Sequence, residues 1–432
     1  MKRNNLNSDN AKTGQNIVRK KILLFGFQRI LLFAGIGWCL YIGGCSTSEP
    51  PNYRGADSPE TFSDTENDHA DETQSLSHFP FQISNVPDEL QVPVTPSDLR
   101  FEGSDCEHVA QINTDDCTAR CIDEESFHCQ VSTQSDNTEI AVVYCEELYV
   151  AQNVHVELLG QRPLVLIATN NISIDGSLVA LDAIDRDDGI LGGFSAASGT
   201  NPAEGNGPGG GEESLGSSGS GGGAYCGAGG DGGVDEDSSY DNGLGGAPYG
   251  NAEIVPLQGG SSGGKGFPGS AGAGGGALQL VSARTLRIGS LGVINLPGNG
   301  GGANSGHGGG SGGAVLLEAT NVMIEGVVAA NGGGGGAGAL YGDGLPGQAD
   351  SDAALGGRND DAAAGGEGSS ASAVSGSAGQ NDEDTYNGAG GGGGGAGWIR
   401  INTQSGTFAG NGVISPSVST KCASAGVIQS KT

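Results

Sequence analysis

Residues 312–336 read GGAVLLEATNVMIEGVVAANGGGGG. A glycine run delivers a short apolar strand at Val315, Leu316 and Leu317. The polar corner Ala319, Thr320 and Asn321 breaks it, and a second strand follows at Val322, Met323 and Ile324. Glu325 and Gly326 turn the chain into a third apolar piece, Val327 and Val328, before glycine returns. The same order recurs at 277–298 (ALQLVSARTLRIGSLGVINLPG), at 164–182 (LVLIATNNISIDGSLVALD) and, more weakly, at 398–416 (WIRINTQSGTFAGNGVISP). Repetition of this kind decides the architecture before any local detail does.

One such unit has too little apolar surface to fold alone. Stacked on its neighbours at strand spacing, it pairs its backbone above and below and lines a shared core. Val322, Ile324 and Val327 are expected to face inward, with their alternating partners outward. Burying each is worth about 1.5–3 kcal/mol. Asn171, Asn321 and Asn331 suit left-handed corners, and Gly176 and Gly326 suit positive φ. The expected fold is all-β: a parallel β-solenoid or β-helix with long Gly-rich, acidic loops and a small Cys-rich N-terminal cap. A β-sandwich also uses short strands but shows turn signals every 8–12 residues or so. Here unequal glycine-rich insertions separate the copies instead.

The chain has 432 residues, 84 of them glycine and 5% aromatic, which places it between globular and low-complexity classes. Its apolar residues gather in the repeats and near the N-terminus, so the foldable core is smaller than the length suggests. The net charge is −31. Such a surface repels nucleic acid and anionic lipid, and has only a general tendency to gather divalent cations.

The N-terminus carries a targeting pattern. Arg19, Lys20 and Lys21 precede an apolar region, and uncharged residues run from Ile30 to Gly44. That run is short of the roughly 20 residues needed to cross a bilayer as a helix. Ile42, Gly43, Gly44 and Cys45 instead suggest processing. The segment resembles bacterial lipoprotein signal peptides, in which a small residue precedes an acylated Cys. That resemblance implies that residues 1–44 are removed, that Cys45 is the lipidated N-terminus, and that Ser46 directs sorting to the outer membrane. Loss of Lys2, Arg3, Lys12, Arg19, Lys20, Lys21 and Arg29, with Asp9 as the only acid, leaves the mature chain more acidic still. Residues 45–100, rich in Ser, Thr, Pro, Asp and Glu, read as the lipidated N-terminus and a disordered acidic tether. His69 and His78 lie in it and are expected to be solvated.

Residues 101–150 form the Cys-rich cap, with Cys106, Cys117, Cys121, Cys129 and Cys145. Zinc on Cys117 and Cys121 with His108 or His128 is one reading. Disulfides suit an exported chain better. With Cys39 in the leader and Cys45 at the anchor, the candidates are these five plus Cys226 and Cys422. Their number is odd, so one is free or pairs between chains, and Cys226 and Cys422 are the isolated ones. Connectivity is not readable from sequence. A cap fits this position because the first coil of a solenoid exposes an unpaired edge.

Residues 151–418 are the Gly-rich solenoid and 419–432 a C-terminal tail. Beyond Asp182 the strand pattern dissolves into glycine runs with acidic clusters: Asp185, Asp187 and Asp188; Asp231, Asp235, Glu236, Asp237 and Asp241; 343–367; and 382–384. These insertions are expected on the outside, mostly disordered. Packed polyglycine-II helices are the alternative for 332–336 and 390–395. No EF-hand, nonapeptide Ca²⁺ repeat, phosphate loop or collagen period is present. No cofactor is expected, and Ca²⁺ uptake would be adventitious. Enzymes on β-helices need paired carboxylates or a cation beside them at defined separation. Here the acids sit in loops where nothing is expected to hold them, and His307 sits in a Ser-Gly-His-Gly-Gly loop not expected to orient an imidazole.

The repeat and its closing GGGGAGWIRINT at 392–403 resemble a group of uncharacterised glycine-rich lipoproteins of myxobacterial type, often likened to PGRS proteins for their glycine content. The resemblance implies no activity and carries over no residue but Cys45. The expectation is a non-enzymatic, lipid-anchored outer-membrane protein with a structural or adhesive role and a polysaccharide or cell-surface partner. The alternatives are a carbohydrate-binding or polysaccharide-degrading β-helix and a Ca²⁺-dependent envelope scaffold.

Overall fold

A computed structural model describes residues 72–431, except 107–109, 123–125, 181–189, 198–199, 238, 360–361 and 384–387. The leader, Cys45, His69, His108 and the acidic loop at 182–188 lie outside the described residues. The described chain is built almost wholly of β-structure, with two single-turn 3₁₀ segments and no α-helix among the described residues. The early strands are β1 (Thr73–Ser75), β2 (Gln91–Pro93), β3 (Leu99–Phe101), β4 (Gln111–Asn113), β5 (Thr118–Arg120) and β6 (His128–Thr133). Next come β7 (Glu139–Cys145), β8 (Leu148–Val150), β9 (His155–Leu159), β10 (Leu164–Ala168), β11 (Ile172–Ile174) and β12 (Ser177–Val179). After a long insertion follow β13 (Ala277–Ile288), β14 (Val293–Asn295), β15 (Ala314–Ile324) and β16 (Val327–Ala329). The last are β17 (Trp398–Thr403), β18 (Val413–Ser415) and β19 (Ala423–Val427).

The four sequence copies stack in parallel and in register. Leu164 lies opposite Leu278, Leu278 opposite Val315, and Val315 opposite Ile399. In a second sheet Leu178, Ile294, Val328 and Ile414 form the matching ladder. Each copy therefore gives one strand set to the ten-stranded sheet, ordered β19-β17-β15-β13-β10-β7-β6 with β3, β8 and β11 alongside. It gives one strand to the seven-stranded sheet, ordered β18-β16-β14-β12-β9-β4-β5. The two sheets face each other across one apolar core containing Leu166, Ile174, Leu280, Ile288, Leu317, Ile324 and Ile401.

Three expectations change in detail. Val328 faces inward rather than Val327, because the two-residue alternation of Val322 and Ile324 runs unbroken through the Glu325–Gly326 turn into β16. The polar corner at 319–321 does not end a strand: β15 runs through it, and β13 does the same with two residues, Ala283 and Arg284, bulged opposite one. Residues 101–150 are not a separate cap. Their strands join both sheets, and antiparallel β6 and β5 close the first edge.

From Glu72 onward the stretch expected to continue the tether to residue 100 is ordered. Leu76, Phe79, Phe81, Ile83, Val86 and Val92 pack on the outer face of the ten-stranded sheet, against Val165, Ile167, Val281 and Leu316. This strap explains why strands such as β10 are buried on both faces and read as unbroken apolar runs. It is held at its far side by the C-terminal residues: the Gln82 amide donates to the Gln429 carbonyl, and Lys431 meets Asp88 at 2.8 Å.

The glycine runs overturn the expectation of disordered loops. They form a bundle in which hydrogen bonds recur every third residue, the period of an extended three-residue-per-turn helix. Run 388–397 shows the logic. Gly390, Gly393 and Ala396 donate to run 374–382, Gly391 and Gly394 to run 330–338, and Gly392 and Gly395 to run 217–224. The carbonyls of the same three rows accept from runs 226–234, 363–370 and 306–313. Three faces of donors and three of acceptors give this run six neighbours, the hexagonal packing of polyglycine II. Runs 306–313 and 219–224 are surrounded in the same way. The three central runs ascend together, since Ser220 and Gly223 donate to Gly306 and Gly309, and Gly309 and Gly312 to Gly392 and Gly395.

Glycine is required here by space. A Cβ on Gly222, Gly333 or Gly394 would lie under 3.0 Å from a neighbouring carbonyl oxygen. The hydrogen that replaces it points at that oxygen, so Cα–H···O contacts, worth about 0.5–1 kcal/mol each, supplement the N–H bonds. Ordering glycine costs more backbone entropy than ordering any other residue. The bundle is accordingly tied to the sheets: its runs continue into β13, β15 and β17, and Cys226 is bonded to Cys422 just ahead of β19.

Candidate functional site

The seven candidate cysteines resolve into Cys106–Cys121, Cys117–Cys129 and Cys226–Cys422, with Cys145 the free thiol. The zinc reading of Cys117 and Cys121 is therefore replaced by two disulfides at the start of the sheets. Cys226 and Cys422, isolated in sequence, are partners in space. Cys145 faces the inner core; burial pushes its thiol up in pKa and keeps it protonated and unreactive.

Several titratable side chains are held firmly, contrary to expectation, but inside the protein. His307 is fully buried. Its Nδ1 accepts from the Gly266 amide at 3.0 Å and its Nε2 donates to the Pro268 carbonyl at 3.0 Å, and burial lowers its pKa. The ring is a neutral strut between two bundle turns. At the surface, two exposed loop carboxylates are also held: Asp231 accepts from the Gly245 amide and Asp343 from the Ala303 amide. No metal-binding group of His, Cys, Asp or Glu occurs among the described residues.

Glu318 is a polar group that the sequence reading passed over, a single acid within an apolar run. It lies 1% exposed under the strap. Its carboxylate accepts from the Ser84 amide and hydroxyl at 3.1 and 2.8 Å, from Gln279 Nε2 at 2.7 Å and from Asn402 Nδ2 at 3.1 Å. Desolvation outweighs these four donors and raises the pKa above the ordinary glutamate value. The folded chain thus binds this proton more tightly than the unfolded chain. Its contribution is greatest below the ordinary glutamate pKa and is lost as pH climbs through the raised folded value. Glu318→Gln should remove that limb from a plot of urea midpoint against pH. Glu318→Ala strands the donors of Ser84, Gln279 and Asn402 and should cost roughly 3 kcal/mol. A pH profile unchanged in the Gln variant would show that Glu318 does not titrate in this range.

The solvent-facing candidate is the far end of the bundle. Runs 306–313 and 388–397 flow into β15 and β17, so their beginnings mark the end remote from the sheets. The turns there bind one another: Ala389 N–H donates to Ser217, Ser218 Oγ to the Tyr240 carbonyl, Asn304 N–H to Ala339, and Ser305 Oγ to Phe267. Leu215, Tyr240, Phe267, Leu340 and Tyr341 are exposed on this end. Sequence reading missed them. Their signal was isolated large apolar residues inside Gly and Asp loops, as in AGALYGDG, where no core exists to take them. By contrast, the shallow open depression at Asp98, Arg100, Cys121, Ile122 and Ser126 offers little chemistry, because Arg100 is paired with Glu102 and stacked on Tyr149.

No protein family, curated protein or solved structure matches this chain.

Proposed function

We propose that the chain is a non-enzymatic, lipid-anchored outer-membrane protein, a parallel β-solenoid whose polyglycine-II bundle holds a set of binding loops at its end remote from the sheets. The observation that carries this reading is the remote bundle end: large apolar side chains exposed on turns that a backbone-locked scaffold fixes in place. Binding residues on loops positioned by a rigid framework are the usual division of labour in recognition proteins. The in-register stacking of the four copies supports the solenoid. The lipobox at Ile42–Gly43–Gly44–Cys45 supports the anchor, and three disulfides suit an oxidising compartment. Glu318, His307 and Cys145, three of the described side chains whose chemistry burial alters, are sealed from solvent and hold structure.

Protease shaving of intact cells tests this, with Cys45→Ala as the unanchored control. Release of the folded domain from wild-type cells, and loss of cell association in the variant, is the expected result. Protection until the outer membrane is opened would exclude adhesion and leave a periplasmic scaffold or polysaccharide-handling role.

A further inference from the structure

Resting on the adhesive reading, we infer that the patch formed by Phe267, Leu340 and Tyr341 is the contact centre for a protein partner with an apolar surface rimmed by Lys or Arg. The three side chains are 54%, 70% and 77% exposed, on two turns joined by a third. Asn304 and Ser305 form that joint. The Asn304 and Ser305 amides donate to the Ala339 and Gly338 carbonyls, Asn304 Nδ2 to Pro268 and Ser305 Oγ to Phe267. Asn359 Nδ2 donates to the Tyr341 carbonyl. Asn304, Ser305 and Gly306 all have positive φ, at 69°, 81° and 53°. Two non-glycine residues in that region persist only where their surroundings over-determine them. The patch is thus fixed before any partner arrives, which lowers the ordering cost of binding.

Its chemistry selects the partner class. Sugar recognition needs donors and acceptors facing outward, but the amides and hydroxyl of Asn304, Ser305 and Asn359 are already used within the loops. What projects is two aromatic rings, with the Tyr341 hydroxyl as their single polar group, and an aliphatic chain, the residue types suited to the desolvated centre of a protein interface. Tyr on a Gly- and Ser-rich frame adds contact area with little rotamer entropy to lose. Charge fixes the rim. The described bundle has two cations: Lys265, buried with its amine on the Asn201 carbonyl, and Arg358, paired with Glu367 at 3.5 Å. The bundle also carries Asp231, Asp235, Glu236, Asp237, Asp241 and Asp343, the last of these two residues beyond Tyr341 and bonded to the Ala303 amide beside Asn304. A cationic rim would speed and orient docking on this field, and an anionic one would be repelled.

A displayed library of random peptides, selected on the full mature chain and counter-selected on Phe267→Ala/Tyr341→Ala, tests this. The expected peptides combine aromatic or aliphatic residues with Lys or Arg. As synthetic peptides they should bind wild type at least tenfold more tightly than the variant and weaken with added salt, while the variant melts as wild type does. Failure to enrich any peptide over the variant would overturn the inference. So would equal binding to both proteins, or salt-independent binding of neutral polysaccharides by wild type that the double variant lacks. Cell adhesion separates this from the broader reading. If a deletion strain loses adhesion but the double variant keeps it, adhesion stands and this patch falls. If the deletion strain adheres like wild type, the adhesive reading itself fails.

Discussion

Gly394→Ala should destabilise the bundle by about 3 kcal/mol or more, the upper range for overpacking, because the new methyl meets backbone and not a side chain that can rotate away. The Cβ would fall against the Gly310 carbonyl group and the Ser311 amide. Gly222→Ala should do the same against the Gly392 and Gly393 carbonyls. Relief requires two central runs to separate, which also breaks their three-residue ladder of hydrogen bonds. Two comparisons calibrate the effect. Ala389 and Ala396 already sit buried in run 388–397, near its ends, so a methyl is tolerated where the lattice leaves room. Gly103→Ala, in open space but at φ +91°, should cost only the backbone penalty of about 1–2 kcal/mol. Thermal melts and amide exchange across 388–397 would read the difference. A Gly394→Ala protein melting with wild type would mean that the runs do not pack at backbone contact.

Removing the Cys226–Cys422 bond should have the other large effect. It closes 196 residues, for which the chain-entropy treatment gives about 5 kcal/mol, against about 3 kcal/mol for the 15-residue Cys106–Cys121 closure. The bond lies beside Ala396, with Val374 and Trp398 packed around it, where runs 226–234 and 388–397 meet the last strand of the ten-stranded sheet. It therefore braces the part of the protein least able to stabilise itself by apolar burial. A Cys226→Ser/Cys422→Ser protein should keep its sheets and lose protection in the glycine runs first. Among the described cysteines, thiol titration of the denatured, unreduced chain should find one reactive group, Cys145. Three reactive thiols, or a melt unchanged in the double variant, would remove the brace from this account.

These two effects mark where sequence reading succeeded and where it stopped. The repeat was legible because strand pairing obeys local rules. Each copy carries its own two-residue alternation and corner, and stacking identical units satisfies both backbone and core. The first and last copies, 164–182 and 398–416, took their places for that reason, down to β12 and β18. An error entered at a corner, where a turn was read as a change of phase: the alternation of Val322 and Ile324 continues through Glu325–Gly326 to Val328, not Val327. The disulfide partners, like the strap over Glu318, were not legible, because neither has a local signature.

Glycine runs present the harder case. The sequence alone determines that residues such as 332–336 and 390–395 have no side chains to bury and make no strand pattern, and that is equally true of a flexible linker and of a polyglycine-II lattice. The difference lies in whether enough runs lie side by side. A single run leaves every N–H and C=O to water, whereas run 388–397, enclosed by six others, pairs them with protein on all sides. The same holds for the candidate site. Phe267 is far in the chain from the adjacent Leu340 and Tyr341, and only the lattice brings their turns to one end. The sequence by itself determined the stacked β-units and the acidic surface; tertiary structure decided the order of the glycine, because its hydrogen bonds have partners only once the runs have packed.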